Sequence, residues 1–441
     1  MKRIALGILI FACSVVLGYA QAQQTPQAQQ TPHDPLKSAG IYYVYDGSAL
    51  PAQTPAPKGY KPFYISHFAR HGARYCTSEY DKLYGWFSKA ASANMLTEEG
   101  KAFFQRYETF YQKVRYCKGN LTEVGKNQHR LIAEHMYYNY PSVFRGPTRV
   151  EAVSTESPRV IMSMWSCLSM LQDLDKDIDI SADASAKYAI WLQPTLSSNP
   201  YMIKDSYRGG KAAEKALNDY IDATVPWKEI ASRFFTGPEV IQQVFETTPA
   251  VFIEYFHGVI TSTRCLDEDR EYFDGLFSEE ELHQMWKGIS ARYFTIFGNF
   301  EGSTSLAQTY SGFTLEQIIE TADADMDSGD TQLRLRFGHD SGIAPLLILL
   351  GIDGYDRHTA SLEESLDIFP SYNIPMGASL QLVFFRKKNC DILVKVLVNE
   401  REASLPLTPV RGPYYKWQDF KDHYLPVALE GRSRIEREIR K

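Results

Sequence analysis

Residues 63–74 read FYISHFARHGAR, and this segment gives the first indication of the fold. It begins with an apolar run, Phe63-Tyr64-Ile65-Ser66, whose residue types favour β-structure and predict a buried strand. The strand leads into Arg70-His71-Gly72, which predicts a loop. Ligands of α/β proteins bind at the carboxyl ends of the strands, so we expect this loop to carry a binding site.

The same arrangement, a strand that leads into a loop with basic or imidazole side chains, occurs twice more along the chain. Residues 150–153 predict a strand, and Ser157-Pro158 predicts a helix start just before Arg159, because Ser suits the N-cap and Pro the first helical position. Residues 332–337 alternate with period two and lead through Gly338-His339-Asp340-Ser341 into an apolar helix. Three loops therefore bring six polar side chains to one edge of a sheet: Arg70, His71, Arg74, Arg159, His339 and Asp340.

Strands that alternate with helices predict an α/β core built on a mostly parallel sheet flanked by helices. Two runs near the carboxyl terminus, residues 379–385 and 392–398, predict a β-hairpin in the same core. Residues 175–328 are mostly helical in pattern and predict an inserted α-helical cap. The expected division is a core in two parts, residues 41–174 and 329–441, interrupted by this cap.

The amino-terminal residues predict export. Lys2-Arg3 precedes an apolar run that ends in Ala20-Gln21-Ala22, which is the pattern of a signal peptide over residues 1–22. The run is short for a membrane span, so an anchor is the weaker alternative. Residues 23–40, rich in Gln, Thr and Pro, predict a flexible leader. We expect an exported chain, periplasmic or secreted, with no membrane span.

Composition and charge exclude several classes. The chain has 441 residues, 44% of them hydrophobic, so its bulk is globular and neither disordered nor fibrous. Its formal net charge of −6 argues against a nucleic-acid partner. No two cysteines have Cys-x-x-Cys spacing, so no zinc site is indicated, and His67 is expected in the core as part of the first strand. We expect no metal and no other cofactor.

The six polar side chains suit a phosphoryl group. Arginine forks bind tetrahedral oxyanions through paired hydrogen bonds, and helix N-termini add backbone donors. A neutral imidazole at His71 can attack phosphorus and form a phosphohistidine, which divides one difficult displacement into two easier ones. Asp340 can protonate the departing alkoxide and later deprotonate the attacking water. This scheme requires no metal.

Arg70-His71-Gly72-Ala73-Arg74 after a strand, with the distant pair His339-Asp340, resembles the histidine acid phosphatases. That family branch includes phytases, glucose-1-phosphatase and multiple inositol polyphosphate phosphatase. Further similar segments are Leu121-Thr122-Glu123-Val124-Gly125, Ser154-Thr155, Ile374-Pro375, Ala378-Ser379-Leu380 and Val396-Leu397-Val398-Asn399-Glu400. The resemblance implies a phosphoglycerate-mutase-like core with a helical cap. It also implies a role for each site residue: His71 as nucleophile, Asp340 as proton donor, and Arg70, Arg74, Arg159 and His339 as phosphate ligands.

Two departures from the family pattern matter. Cys76 stands where the family usually has Pro, so the loop must be held differently, and a disulfide to Cys117 is one way to hold it. His339-Asp340-Ser341 stands where the inositol polyphosphate subgroup usually has His-Ala-Glu, so that subgroup's substrate range does not carry over. Inositol polyphosphates, including phytate, are the substrates that the resemblance favours.

Several alternatives remain open at this point. The enzyme could be a broad-specificity acid phosphatase or a sugar-phosphate phosphatase, and a phosphomutase of the related superfamily branch is a further candidate. Export and the absence of Asn a few places beyond His71 count against the mutase. A phosphate-ester binding protein without turnover is disfavoured because both His71 and Asp340 are present. We expect a monomer that acts on small-molecule phosphate esters.

Overall fold

The computed structural model describes residues 34–196 and 199–440. The predicted signal peptide and most of the predicted leader lie outside the described residues. From Pro35 onward the chain forms one compact unit.

One large sheet organises this unit. Its strand order is β10-β8-β7-β1-β5-β2-β3, and β9 pairs with β8. The four strands β1, β5, β2 and β3 run parallel, whereas β7, β8 and β10 extend the sheet in antiparallel pairing. A separate small sheet joins β4 and β6. The strands are β1 (Lys61–Arg70), β2 (Arg149–Ser154), β3 (Asp179–Ala184), β4 (Asn299–Phe300), β5 (Leu333–Gly338), β6 (His358–Thr359), β7 (Ser379–Arg386), β8 (Leu393–Val398), β9 (Arg401–Glu402) and β10 (Tyr414–Lys416).

Helices cover both faces of the sheet, which confirms the predicted α/β class, and the predicted hairpin is β7–β8. The helices are α1 (Glu79–Ser92), α2 (Glu98–Val114), α3 (Glu123–Asn139), α4 (Pro158–Leu174), α5 (Ala189–Leu192), α6 (Gly210–Thr224), α7 (Trp227–Phe234), α8 (Val240–Gln243), α9 (Pro249–Ser262), α10 (Glu279–Phe297), α11 (Ala307–Ser328), α12 (Asp340–Leu349), α13 (Leu362–Ile368) and α14 (Trp417–Ile439).

The side chains of β1 alternate between two hydrophobic cores, because successive residues of a strand point to opposite faces of the sheet. Ile65 and Ala69 belong to the core that contains residues of α3 and α4. Tyr64 and Phe68 belong to the larger core, which contains residues of α11, α12 and α14. Burial on both faces fixes the strand, and with it the position of the loop at its carboxyl end.

The predicted flexible leader ends earlier than the sequence indicates. Pro35–Tyr42 forms a 3-10 helix in which Ser38 and Tyr42 are buried. The Nε2 atom of His257, on α9, is hydrogen-bonded to the carbonyl oxygen of Ser38 at 2.7 Å. Packing on the rest of the fold thus orders a segment whose composition alone predicts flexibility, and the leader prediction is wrong for its last residues.

The predicted helical insertion, residues 175–328, contains one strand of the main sheet. β3 pairs in parallel with β2 along its whole length. The apolar pattern fails to reveal this edge strand because its sequence, DISADA, is mostly polar. At the other end of the insertion, α11 packs on α12 and α14 beside the sheet. The cap therefore consists of the helices that lie between β3 and α11 in the sequence. Helices α1 and α2 pack with the cap, since Phe87 of α1 and Phe103 of α2 contact Phe234 of α7.

Candidate active site

The three predicted loops meet because their strands are neighbours in the sheet. Arg70, the last residue of β1, pairs with Gly338, the last residue of β5. On the other side of β5, Ser154 at the end of β2 pairs with Phe337. The carboxyl ends of three parallel strands thus lie side by side, and all six predicted site residues follow them at this edge.

His71 is buried, and its ring has one defined tautomer. Its Nδ1 atom lies 2.9 Å from the carbonyl oxygen of Gly72. A carbonyl oxygen only accepts, so Nδ1 carries the proton and Nε2 keeps its lone pair. Burial, followed by the charges of Arg159 and Arg70, holds the pKa of His71 well below its ordinary value. The imidazole is therefore neutral, which is the form that acts as a nucleophile.

Backbone hydrogen bonds fix the loop around His71. The amide of Gly72 donates to Oγ of Ser163 on α4, at 3.1 Å, and the amide of Ala73 donates to Oε1 of Gln128 on α3, at 2.8 Å. The amide of His71 donates to the carbonyl oxygen of Gly338. Residues from α3, α4 and β5 thus set the position of His71.

Arg70 is fully buried and held by carbonyl groups distant in sequence. Its Nη1 atom donates to the carbonyl oxygens of Ile41 at 2.8 Å and Ile374 at 2.6 Å. Asn399 supports the second contact, because its side chain donates to the carbonyl oxygen of Asn373 and accepts from the amide of Ser379. The segments around residues 374 and 399, which the sequence marked only as family-like, therefore orient this guanidinium group.

Three buried guanidinium nitrogens at this edge lack a partner. The Nε atoms of Arg70, Arg74 and Arg159 have no hydrogen-bond acceptor among the described residues. A buried unpaired donor costs free energy, and three such donors that carry positive charge indicate an anion site. The Nη1 atom of Arg74 donates to the carbonyl oxygen of Tyr75, and its guanidinium group lies 5.5 Å from the ring of Tyr42.

His339 connects Arg159 to the end of β2. Its Nδ1 atom lies 3.4 Å from Nη2 of Arg159, and its Nε2 atom lies 3.1 Å from Oγ1 of Thr155. Arginine only donates, so Nδ1 accepts and Nε2 donates to the threonine. Burial and the charge of Arg159 lower the pKa of His339 to about 3, which keeps this imidazole neutral. In this arrangement His339 orients Arg159.

Asp340 is the first residue of α12, and its carboxylate faces Arg70. The Oδ2 atom lies 3.4 Å from Nη2 of Arg70 and accepts a hydrogen bond from the hydroxyl of Tyr293 at the same distance. Burial raises the pKa of Asp340, but the charges of Arg70 and Arg74 outweigh it and place the pKa below its ordinary value. Without an anion in the site, this carboxyl group is ionised.

The expected disulfide is not formed. All five cysteines of the described residues are free, including Cys76 and Cys117. The thiol of Cys76 is buried against the hydroxyl of Tyr42, at 3.5 Å, and the carbonyl oxygen of Gly258, at 3.7 Å. The side chain thus points into the packing between the loop and α9, and this contact takes the place of a covalent link.

Residues 34–196 and 199–440 contain no group of three or more His, Cys, Asp or Glu side chains arranged to hold a metal ion. No helix within the described ranges has both the length and the apolar character needed to cross a membrane.

Comparisons with known proteins agree with this geometry. Residues 67–399 match the histidine phosphatase superfamily (branch 2). No curated protein matches the sequence. Among solved structures, the multiple inositol polyphosphate phosphatase of Bifidobacterium longum, in complex with inositol hexasulfate, is similar with a TM-score of 0.71 and 18% identity, over 88% of this chain and 97% of that one.

Two phytases are similar as well. The phytase of D. castellii has a TM-score of 0.66 and 16% identity, over 92% of this chain and 89% of that chain. The Hafnia alvei phytase in complex with myo-inositol hexakis sulphate has a TM-score of 0.57 and 13% identity, over 85% and 98%. At these identities the likeness shows a shared fold. The family match covers most of the chain, including all three loops that carry the candidate site residues, and the chain therefore belongs to branch 2 of the histidine phosphatase superfamily.

Proposed function

We propose that the protein is a phosphomonoester hydrolase that works through a phosphohistidine on His71, with inositol phosphates as substrates. One observation carries this proposal: three guanidinium groups, each with a buried and unpaired Nε atom, lie around a neutral imidazole whose Nε2 lone pair is free. A tetrahedral dianion supplies the acceptors that these donors lack.

In the first step, Nε2 of His71 attacks phosphorus and forms a P–N bond while the P–O bond to the alcohol breaks. The proton on Nδ1 stays on the ring and continues to bind the carbonyl oxygen of Gly72. Asp340 gives its proton to the departing oxygen, so a neutral alcohol leaves. The guanidinium groups stabilise the charge on the equatorial oxygens of the transferring phosphoryl group.

In the second step, water attacks the phosphohistidine from the side that the alcohol has left. Asp340, now ionised, removes a proton from this water as the new P–O bond forms and the P–N bond breaks. Inorganic phosphate leaves, and His71 returns to its neutral form. Each group ends in the protonation state in which it began, so the cycle needs no other reactant.

The low pKa of Asp340 fits this scheme once the substrate is considered. The neighbouring cations favour its ionised form in the free protein. A phosphate dianion neutralises those cations and adds negative charge beside the carboxyl group, which favours its protonation. Substrate binding therefore prepares the acid. His339 contributes by orienting Arg159; once Arg159 turns to the anion, a shift of the imidazole proton from Nε2 to Nδ1 lets His339 donate to the phosphate directly.

Inositol phosphates, phytate among them, are the proposed substrates on two grounds. Two of the similar sequence segments, Ile374-Pro375 with Ala378-Ser379-Leu380 and Val396-Leu397-Val398-Asn399-Glu400, look most like the inositol polyphosphate subgroup. The similar structures include a multiple inositol polyphosphate phosphatase and two phytases. We also propose that the mature chain is exported and monomeric, which cell fractionation and size-exclusion chromatography test.

Trapping of the covalent intermediate tests the function. Rapid acid-free quenching of the wild type with radiolabelled phosphate ester should give a label that is acid-labile and alkali-stable and that forms in the presence of a chelator. His71→Ala should carry no label and lose turnover, while His423→Ala, at an exposed histidine of α14, should keep both. Turnover by His71→Ala, or substrate binding without release of phosphate by the wild type, would refute the proposal.

A further inference from the structure

A cavity of about 90 Å³ adjoins the catalytic residues on the side of the cap. It lies between the start of α1, the middle of α9 and the second half of α10, and its walls include Tyr42 and Tyr293. The hydroxyl of Tyr293 donates to Asp340, and the ring of Tyr42 packs against the guanidinium group of Arg74. The cavity therefore begins beside the proposed proton donor, where the alcohol leaves.

Two carboxylates line this cavity, Glu79 at the start of α1 and Glu254 on α9. Glu79 accepts hydrogen bonds from the hydroxyl of Tyr42 at 2.6 Å and from the amide of Thr77 at 2.8 Å. Burial raises the pKa of Glu254, and the charge of Glu79 raises it further. The two carboxyl groups are thus close enough to repel one another.

The cations that face these carboxylates are already engaged. Arg292 of α10 forms an ion pair with Glu254, with 3.0 Å between Nε and Oε2. Arg74 lies near Glu79, whose pKa it lowers against the effect of burial, and the proposed reaction uses Arg74 to hold the transferring phosphoryl group. The remaining titratable group of α9 here, His257, is kept neutral because burial lowers its pKa to about 4.

A hydroxyl group and a phosphate group interact very differently with the two carboxylates that line the cavity. A hydroxyl donates a hydrogen bond to a carboxylate, and bonds to charged acceptors are the stronger ones. A phosphate dianion has no proton to donate at neutral pH and faces two like charges at short range, where the local dielectric is low and repulsion is strong.

We propose that this cavity receives the part of the alcohol next to the scissile ester, and that Glu79 and Glu254 select a hydroxyl over a phosphate at that position. The inference rests on the proposed phosphatase activity and narrows its substrates. Inositol phosphates with few phosphate groups, which present hydroxyls beside the reacting ester, are the preferred substrates, and phytate, although a substrate, is hydrolysed more slowly.

The ratio of two values of kcat/KM tests this selection, measured for myo-inositol monophosphate and for phytate at pH 7. The wild type should favour the monophosphate by about tenfold or more, since a single unscreened like charge has this effect. Glu254→Gln should shift the ratio about tenfold toward phytate. Arg292→Gln, which leaves the Glu254 carboxylate without its ion pair, should shift the ratio the other way.

Glu363→Gln provides the matched control. Glu363, on α13, forms an ion pair with Lys287 of α10, as Glu254 does with Arg292 of the same helix, but Glu363 does not line the cavity. Its ratio should equal that of the wild type. A wild type that prefers phytate, or Glu254 and Arg292 variants that change both substrates by the same factor, would overturn the inference. Those results leave the phosphohistidine intact, whereas a missing label on His71 removes the proposed function itself, so the two failures are distinguishable.

Discussion

Gly72 and Gly125 lie back to back beside His71, the proposed nucleophile. A Cβ atom on Gly72 would come within 2.4 Å of the carbonyl oxygen of Gly125, and one on Gly125 would come within 2.3 Å of the carbonyl oxygen of Ala73. Both contacts are with backbone atoms, which cannot turn aside as a flexible side chain does. The first turn of α3 therefore sets how deeply the catalytic loop sits.

Gly125→Ala should displace this loop without removing any catalytic group. We expect kcat to fall by about 100-fold, because misplacement of a nucleophile by about 1 Å has an effect of that size. Gly85→Ala is the control: Gly85 is also helical, on α1, but a Cβ atom there has no neighbour within 4 Å. Steady-state kinetics and thermal unfolding of both variants check the prediction, which unchanged kcat in Gly125→Ala would contradict.

Asp340→Asn should slow release of the alcohol according to how much protonation the alcohol needs. We expect kcat/KM for an inositol phosphate to fall by about 10² to 10⁴, the usual contribution of a general acid. A nitrophenyl phosphate, whose phenolate leaves without a proton, should lose much less. Equal losses for the two esters would mean that another group protonates the leaving oxygen.

Tyr293→Phe should move the pH dependence of the reaction. The hydroxyl of Tyr293 donates to Oδ2 of Asp340 and so favours the ionised carboxylate. Without it the pKa of Asp340 rises, and the limb of the kcat profile on which activity falls with rising pH should shift to higher pH. Tyr111→Phe, which removes a similar bond to the exposed Asp81, should leave the profile in place.

Two buried histidines should make the fold sensitive to acid. Burial, and for His67 also the charge of His129, lowers the pKa of each from 6.5 to about 3. Between these values the unfolded chain binds a proton that the folded chain does not, so the free energy of unfolding falls as the pH is lowered from about 6.5. Each histidine contributes about 1.4 kcal/mol per pH unit in this window.

This prediction is checked by urea unfolding of His67→Leu at several pH values from about 4.5 to about 7, a range that covers the upper part of that window. Both ring nitrogens of His67 lack a hydrogen-bond partner among the described residues, so leucine removes an unpaired donor and should cost little stability at neutral pH. The slope of stability against pH should become shallower than in the wild type. Replacement of the exposed His423 by Gln should not change it.

The sequence predicts the parts of this site that depend on local pattern. β1, β2 and β5 carry the apolar runs expected of buried strands, and a parallel sheet brings their carboxyl ends together without further information. The structure accordingly places His71, Arg159 and Asp340, which lie far apart in the chain, at one edge.

The sequence does not predict the residues that support the site, because their roles depend on contacts between segments that are far apart in the chain. Asn399 acts through the carbonyl group of Asn373, next to Ile374, and only the pairing of β7 with β8 brings these two segments together. Glu254 and Tyr293 line one cavity because α9 and α10 pack together, and no local signal in their sequences marks that face. The 3-10 helix at Pro35–Tyr42 is likewise formed by contacts made with α9.

The position of β5 between β1 and β2 has a consequence for synthesis of the chain. The ribosome completes β1 and β2 well before it reaches residue 333, yet the edges by which both strands pair with β5 stay unpaired until β5 emerges. The early chain must keep a gap in its sheet, with two strand edges open to other chains for that interval. His339 and Asp340 follow β5 directly, so the strand that closes this gap also brings the last two of the six candidate site residues to the sheet edge, and the proposed activity cannot appear before β5 pairs.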